Sequence, residues 1–323
     1  MNRKEPNACK SAHLARRQFF NQAASLAALM FSGRLWASTT VGKAQKARRI
    51  FDGKTLKGWK AIPRMYIPRD PKFNTMPSSE IKEALTNWYL ENDDIAHVKH
   101  TGDWQVIDGA IVGKHDPADS LYGAYLISEE KFGDFELELD ANPDWPIDTG
   151  IMIRAHEVGV IGFQVLVDYR PFGTVGGIYG NSIGSFRTAG FAFNGDKLPD
   201  YHVTNLQPSK PDGNFSAVTP TYTASFEDFT KAWKLNDWNH FKIRCIGRIP
   251  VITIWVNDVK MCELDSSKID APGYDAEAVA TLLGPKGHIA FEVHDVDTRG
   301  QLGRDRWAIG AACRWKNITV TEL

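Results

Sequence analysis

From Ile50 onward the chain alternates short hydrophobic runs with Gly, Pro, Asn and Asp. Short alternating segments divided by turn residues are typical of the strands of a β-sandwich. The predicted strands are Trp104–Ile107, Ala110–Gly113, Tyr125–Ile127, Phe135–Ala141, Gly150–His156, Gly162–Asp168, His240–Ile246, Val251–Val256, Val259–Leu264, His288–His294 and Arg314–Thr321. The pattern therefore predicts an all-β protein.

Helical spacing occurs chiefly in Ser78–Leu90, where hydrophobic residues recur three or four positions apart. Ser78 or Ser79 is the expected N-cap. This segment is predicted to be a helical insertion that packs on the edge of the sandwich or over the site.

Alternation assigns each strand a hydrophobic and a polar face, because successive side chains of a strand point to opposite sides. Four strands carry Arg, His, Gln, Asp or Glu on the polar side. These polar residues include Glu138, Arg154, His156, Gln164, Asp168, Glu292 and His294.

If the strands are neighbours in one sheet, six of these side chains converge on one patch: Arg154, His156, Gln164, Asp168, Glu292 and His294. For any one of them alone, a solvated sheet face is the commoner explanation. Six varied titratable or amide groups on three strands favour a functional site.

Composition narrows the classes of partner. The 323 residues have a formal net charge of -1 and are 43% hydrophobic, which suits a globular protein with a full core. Nucleic acid and anionic membranes are therefore poor candidate partners, and from Ile50 on there is no apolar run of the ~18 residues that a membrane span needs.

The first forty residues have a different pattern. Arg16-Arg17 precedes a short apolar run over Ala23–Phe31 and a small-residue site that ends at Ala37. This pattern indicates a signal peptide, similar to a twin-arginine signal, and the alternative is a basic amphipathic helix. We predict a signal peptide over 1–40, a linker over 41–49 and one domain over 50–323, with an exported protein that is periplasmic or extracellular.

Common catalytic and cofactor motifs are absent from the sequence: it has no P-loop, no dinucleotide fingerprint, no H-E-x-x-H and no G-x-S-x-G. No C-x-x-C spacing exists, so a thiolate zinc site is not expected. Cys245 and Cys262 lie on neighbouring predicted strands, where a pairing is possible but a buried free thiol is the favoured state of Cys245. No cofactor is predicted with certainty; a divalent metal held by His156, Asp168 or His294 across strands stays open.

Aromatic residues beside these polar groups suit a saccharide, because sugars present flat C–H faces that stack on rings. Trp255 lies on the polar side of its strand, opposite Ile252, Ile254 and Val256. Tyr179 lies in the Gly-rich segment Phe172–Gly180, which is expected to turn close to the same sheet.

Ten short motifs in order resemble the 3-keto-disaccharide hydrolase family, whose opening "LFDGKSLDGW" is similar to Ile50–Trp59. The other nine are Trp104–Gly109, Phe132–Leu137, Gly150–Arg154, Gly162–Gln164, Ile178–Gly180, Trp238–His240, Trp255–Asn257, Gly287–Phe291 with His294, and Trp315–Ile318. The resemblance implies a concanavalin-like jelly-roll sandwich of two antiparallel sheets. Family members often carry Glu and Gln where this chain has Gln164 and Leu166, Gln at Glu292, and Arg at Lys316.

The resemblance also implies an activity, the cleavage of glycosides that have been oxidised at C3. A C3 ketone acidifies the C2 proton, so a base can form an enolate and the C1 substituent can leave. We predict His294 as the base, Asp168 or Glu292 as its orienting group or the acid, and Arg154 and Lys316 as stabilisers of the oxyanion. Gln164, His156, Tyr179, Trp255 and Glu138 are predicted to bind the substrate.

Two other classes of protein fit the same sequence, because a fold does not determine a function. A non-catalytic, lectin-like carbohydrate-binding module would bind saccharides and form no product. An interaction domain of the cell envelope would bind no sugar at all.

Overall fold

The computed structural model describes residues 46–68, 72–211, 216–296 and 306–323. The predicted signal peptide lies outside these residues, and Ala44–Leu323 forms one compact unit. No helix in the described ranges is long and apolar enough to cross a membrane.

Strands make up most of the regular structure, which confirms the all-β prediction. The strands are β1 Arg48–Arg49, β2 Trp59–Pro63, β3 Asp103–Ile107, β4 Ala110–Lys114, β5 Ala124–Ser128, β6 Phe135–Pro143, β7 Ile147–Ala155, β8 Gly162–Tyr169, β9 Val175–Asn181, β10 Phe186–Thr188, β11 Ala192–Lys197, β12 Val203–Ser209, β13 Ser216–Ala217, β14 Tyr222–Thr223, β15 Asn239–Ile246, β16 Val251–Val256, β17 Val259–Asp265, β18 His288–Val293 and β19 Cys313–Glu322. The helices are α1 Lys72–Thr75, α2 Ile81–Glu91, α3 Ile95–Lys99, α4 Phe226–Ala232 and α5 Ala276–Leu283, with a short 3₁₀ helix at Ser266–Lys268.

Two large sheets form the sandwich. The nine-stranded sheet has the order β14-β17-β16-β15-β6-β19-β4-β3, with β1 paired to β19. The eight-stranded sheet has the order β13-β10-β9-β8-β7-β18-β5-β2, and β11 and β12 form a separate hairpin. Neighbouring described strands are antiparallel except β10 and β13, which are parallel. This is the predicted jelly-roll sandwich of two antiparallel sheets.

The core lies between the two sheets, where their hydrophobic faces meet. In β6 the residues Phe135, Leu137 and Leu139 are fully buried, as alternation predicts. Phe291 of the eight-stranded sheet stacks on Trp315 of the nine-stranded sheet, with ring centroids 4.8 Å apart. Because each sheet buries one face against the other, the opposite face of each is available for polar groups.

The helical insertion forms at the predicted place, but its cap differs. Helix α2 buries Ile81, Leu85 and Tyr89, and its N-cap is Glu80, with no capping hydrogen bond from that side chain. The predicted cap Ser78 instead contacts His156, whose Nε2 lies 2.8 Å from the Ser78 Oγ. The Ser78 hydroxyl therefore contacts the edge of the sheet and does not cap the helix.

Candidate active site

A cavity of about 630 Å³ opens on the face of the eight-stranded sheet that points away from the core. In β8, Phe163, Val165 and Val167 belong to the hydrophobic core, whereas Gln164, Leu166 and Asp168 line the cavity. The other lining residues are Arg64, Tyr66, Ile67, Asp148, Tyr179, Asn181, Ser182, Gly184, Ser185, Arg187, Pro272, Gly273, His294 and Arg306. The volume is in the range of pockets that bind small molecules, roughly 300–1,000 Å³.

Two carboxylates face each other across neighbouring strands at one end of this cavity. Asp148 of β7 pairs directly with Asp168 of β8 in the strand register. The Arg306 Nη1 donates to the Asp148 Oδ2 at 2.5 Å, and the Arg170 Nε lies 2.8 Å from the Asp168 Oδ1. The Arg187 Nη2 donates to the Asp168 Oδ2 at 3.2 Å. Each buried acid is thus matched by at least one guanidinium group.

The surroundings shift the pKa values of the two carboxyl groups in opposite directions. Burial raises the pKa of Asp168 to about 6, and the negative charge of Asp148 acts in the same direction against the opposing effect of Arg170. For Asp148, burial acts to raise the pKa, but the positive charge around it, to which the Arg306 and Arg170 guanidinium groups contribute, outweighs burial, so the pKa lies below its ordinary value. A pair of carboxyl groups whose pKa values are pushed apart is the arrangement that lets one act as an acid near neutral pH while the other stays charged.

The imidazole of His294 follows β18 and faces the same cavity. Its Nε2 lies 3.2 Å from the Arg64 Nη2 and 2.9 Å from the Arg306 Nη1. Because a guanidinium group only donates, Nε2 must accept these hydrogen bonds, which assigns the ring proton to Nδ1. Nδ1 donates to the backbone oxygen of Asp295 at 2.7 Å and lies 3.0 Å from the Asp295 Oδ1. The His294 ring is therefore held from behind by Asp295, with Nε2 turned toward the two arginines.

Glu292 is fully buried beside the cavity wall and holds several wall residues in place. Its Oε1 accepts from the Arg64 Nε at 2.7 Å and from the Tyr125 hydroxyl at 3.0 Å, and its Oε2 accepts from the Gln164 Nε2 at 2.6 Å. Both carboxylate oxygens are thus engaged by neighbouring side chains.

Gly150 makes the contact between Gln164 and Glu292 possible. It lies in β7, the strand between the strands that carry these two residues. A Cβ at position 150 would come 2.4 Å from the Gln164 Nε2, which is closer than atoms can pack. The glycine therefore lets the Gln164 side chain cross the strand and reach Glu292.

The structure brings together five of the ten side chains singled out in the sequence. Gln164, Asp168, Tyr179 and His294 line the cavity, and Glu292 lies immediately behind its wall. Tyr179 belongs to strand β9 and pairs in register with Gln164, so the predicted Gly-rich turn is in large part a strand.

Arg154 and His156 do not reach this cavity, contrary to the expected six-residue patch. Arg154 has a φ of 49°, which breaks the alternation of β7, and its side chain binds the Asp134 carboxylate at 2.9 Å and the Pro285 carbonyl at 2.6 Å. His156 lies beyond the end of the strand and contacts Ser78. The prediction that one face carries them was wrong because strict alternation ends before Arg154.

The other three predicted residues lie on the nine-stranded sheet, away from the cavity. Glu138 belongs to β6, Trp255 to β16 and Lys316 to β19. The Lys316 Nζ lies 3.9 Å from the centre of the Trp238 ring, and the Lys242 Nζ lies 5.5 Å from that of Trp255. Alternation gave the correct polar side of these strands, but it cannot say to which sheet a strand belongs.

Comparison with known proteins identifies the family. The family model of the 3-keto-alpha-glucoside-1,2-lyase-like domain matches residues 46–321. The chain belongs to this family. The matched region of this family member includes all the elements that line the cavity.

Solved structures that are similar to this chain share little sequence identity with it. A proposed glycosyl hydrolase from Parabacteroides distasonis is 13% identical, with 87% of this chain and 96% of that chain covered and a TM-score of 0.41. A second one from the same organism is 16% identical, with 68% and 90% covered and a TM-score of 0.38. The carbohydrate-binding module CBM66 from Bacillus subtilis is 12% identical, with 68% and 92% covered and a TM-score of 0.33. Among curated proteins, none is similar in sequence to this chain.

Among the described residues, the donor set of the cavity does not fit a metal ion. No group of three His, Cys, Asp or Glu side chains in the described part of the family domain could hold one. Asp148, Asp168 and the His294 Nε2 each already contact a guanidinium group, whose positive charge opposes a second cation. The cysteines within 46–323 that the structure describes add no ligand set either, since Cys245, Cys262 and Cys313 are free and buried.

Several site residues were not singled out in the sequence: Arg64, Asp148, Asn181, Arg187 and Arg306. A signal existed for Asp148, because β7 begins at Ile147 and Asp148 continues the polar set of that strand by two-residue steps. Arg64 follows β2, a strand that the pattern did not predict, and Arg306 lies outside the regular strands. For these two arginines the sequence offered no periodic signal.

Proposed function

We propose that this protein cleaves the glycosidic bond of 3-keto-glycosides by removing the proton at C2 and eliminating the substituent at C1. Membership of the lyase-like family supports the substrate class. The observation that carries the proposal is that an unprotonated imidazole nitrogen, a carboxyl group of raised pKa and guanidinium donors all face one cavity.

The chemistry follows from the ketone. In the first step the C2–H bond breaks, the proton goes to the base, and the electron pair forms a C2–C3 double bond with negative charge on the C3 oxygen. In the second step this charge returns, a C1–C2 double bond forms, and the C1–O bond breaks with its electron pair on the leaving oxygen. The leaving oxygen takes a proton from an acid. The site must therefore supply a base, an acid and donors for the enolate oxygen.

His294 has the properties of the base. Its Nε2 carries the lone pair and faces the cavity, while Nδ1–H is held by Asp295. An acid behind an imidazole fixes its tautomer and stabilises the imidazolium that forms when the other nitrogen takes a proton. The charge of Arg64 and the hydrogen bonds from His294 and Tyr66 outweigh the effect of burial and lower the pKa of Asp295, so its carboxylate stays charged for this purpose.

Asp168 has the properties of the acid. Its pKa of about 6 means that part of the population carries a proton near neutral pH. The Arg187 and Arg170 guanidinium groups then stabilise the carboxylate that remains after the proton has gone to the leaving oxygen.

Roles that the sequence suggested for other residues are reassigned in this proposal. Arg154 and Lys316 lie away from the cavity, so Arg64 and Arg306, which are next to His294, take the role of stabilising the enolate oxygen. Glu292 supports Arg64 and Gln164 and has no proton-transfer role here, because it does not line the cavity whereas Asp168 does.

The direct test is turnover. The purified protein is incubated with a panel of 3-keto-glycosides, with and without a chelator, and the products are analysed by mass spectrometry. The proposal predicts release of the C1 substituent and an unsaturated keto-sugar or its hydrate, in both conditions. Saccharide binding without product would instead support a lectin-like module, and neither binding nor product would support an envelope interaction domain.

A further inference from the structure

Two arginine side chains contact the His294 Nε2, the nitrogen that acts as the base in the proposed reaction. Arg64 is anchored by Glu292 and by Asp295, whose Oδ1 accepts from the Arg64 Nη1 at 2.7 Å, and its Nη2 points to the His294 Nε2. Arg306 is anchored by Asp148 and uses the same Nη1 for the His294 Nε2. The Arg306 Nε has no hydrogen-bond partner among the described residues.

These two contacts cap the nitrogen of the base. Guanidinium groups cannot accept a proton, so both contacts use the Nε2 lone pair. A lone pair engaged by charged donors is a poor proton acceptor, because protonation would set a third positive charge against two cations. The imidazole can act only when these donors find another acceptor.

We propose that Arg64 and Arg306 make the site selective for sugars with a ketone next to the carbon that loses its proton. On binding, their N–H groups transfer from the His294 Nε2 to the ketone oxygen, which frees the lone pair for the C2 proton. This inference rests on the proposed function.

The distances fit this exchange. In a 3-keto sugar the ketone oxygen and the C2 hydrogen are carried by adjacent carbons, so the base and the oxyanion donors must be neighbours. The donors lie 2.9 and 3.2 Å from the base nitrogen. As the C2–H bond breaks, negative charge grows on the ketone oxygen, and the same donors then bind it more strongly than in the ground state.

The unoxidised parent sugar would meet the same groups differently. Its C3 hydroxyl can donate to the Nε2 of His294 and accept from a guanidinium, but it offers no acidified C–H bond. We therefore expect the parent glycoside to bind as a competitive inhibitor and to give no product, so that the selection lies in kcat rather than in binding.

The test separates proton removal from bond cleavage. The probe is 1,5-anhydro-3-keto-glucitol, which has hydrogen in place of the C1 substituent, and NMR in D₂O measures exchange at its C2. Removing one such donor typically costs roughly 10²–10³ in rate, so Arg306→Lys and Arg64→Lys are expected to slow exchange by about that factor with little change in probe affinity. Arg244→Lys, on the exposed face of the other sheet, is the matched control.

A second measurement guards against a merely structural effect. Arg306→Ala should regain part of its exchange rate when millimolar guanidinium chloride is added, which restores the donor but not the tether. Exchange in folded Arg306 and Arg64 variants at the wild-type rate would overturn the inference alone. Absence of C2 exchange in the wild-type protein would overturn the proposed function and this inference with it.

Discussion

The acidity of Asp168 predicts a specific dependence of stability on pH. Its pKa of about 6 in the folded protein compares with 3.8 for the free side chain. The folded state therefore binds this proton more tightly than the unfolded chain, by about 3 kcal/mol at roughly 1.4 kcal/mol per pH unit. Because the folded pKa is the higher one, this stabilisation is present below pH 3.8 and is lost as the pH rises to 6.

The substitution Asp168→Asn removes the titrating group and keeps the shape. Between pH 3 and pH 7 the free energy of unfolding of the wild type should fall relative to the variant by about 3 kcal/mol. Urea unfolding followed by tryptophan fluorescence at each pH measures this difference.

Asp148→Asn is the matched control, because Asp148 lies directly opposite and its pKa is shifted down. The wild type should lose stability relative to this variant as the pH falls below the ordinary aspartate range, which is the opposite sign. If the difference in stability between the wild type and Asp168→Asn stays constant with pH, burial does not raise the pKa of Asp168.

Three further substitutions test the rest of the site. Gly150→Ala should force the Gln164 side chain off Glu292 and cost roughly 1–3 kcal/mol of stability from overpacking, measured by urea unfolding. Glu292→Gln should cost about 3 kcal/mol in the same assay, because it removes the charge that Arg64 faces inside the protein; an unchanged midpoint would argue against that buried ion pair. Lys316→Ala should leave kcat/KM for a 3-keto-glycoside within about twofold of the wild type, whereas a large loss would return this residue to the site.

Activity should also respond to the acidity of Asp168. If this carboxyl supplies the proton to the leaving oxygen, kcat/KM falls as the pH rises through about 6. This fall should be absent when kcat/KM of Asp168→Asn is measured over the same pH range. A rise of kcat/KM as the pH increases through about 6 would instead indicate that Asp168 acts as a base.

The fold was predictable from the sequence because two-residue alternation is a local property. The buried Leu137 and Leu139 and the cavity-lining Gln164 and Asp168 lie on the sides that alternation assigned. Alternation does not give the order of the strands in the sheets. Glu138 and Trp255 belong to the nine-stranded sheet, but they were predicted for a site that lies on the eight-stranded sheet.

The residues of the site were less predictable because some depend on irregular backbone. The positive φ of Arg154 ends the alternation within β7 and takes this arginine out of the cavity. Arg64 and Arg306 come from segments outside the regular strands and reach His294 only through the tertiary fold. A local pattern carries no information on such long-range contacts.

A 3-keto-glucoside that carries deuterium at C2 shows whether the protein removes the C2 proton. Elimination removes the C2 hydrogen, so the wild type should release the C1 substituent with a product that has lost its deuterium, and His294→Ala should release none while remaining folded. Release of the C1 substituent with the deuterium still at C2 would contradict the account, because the bond at C1 would then break without removal of the C2 proton.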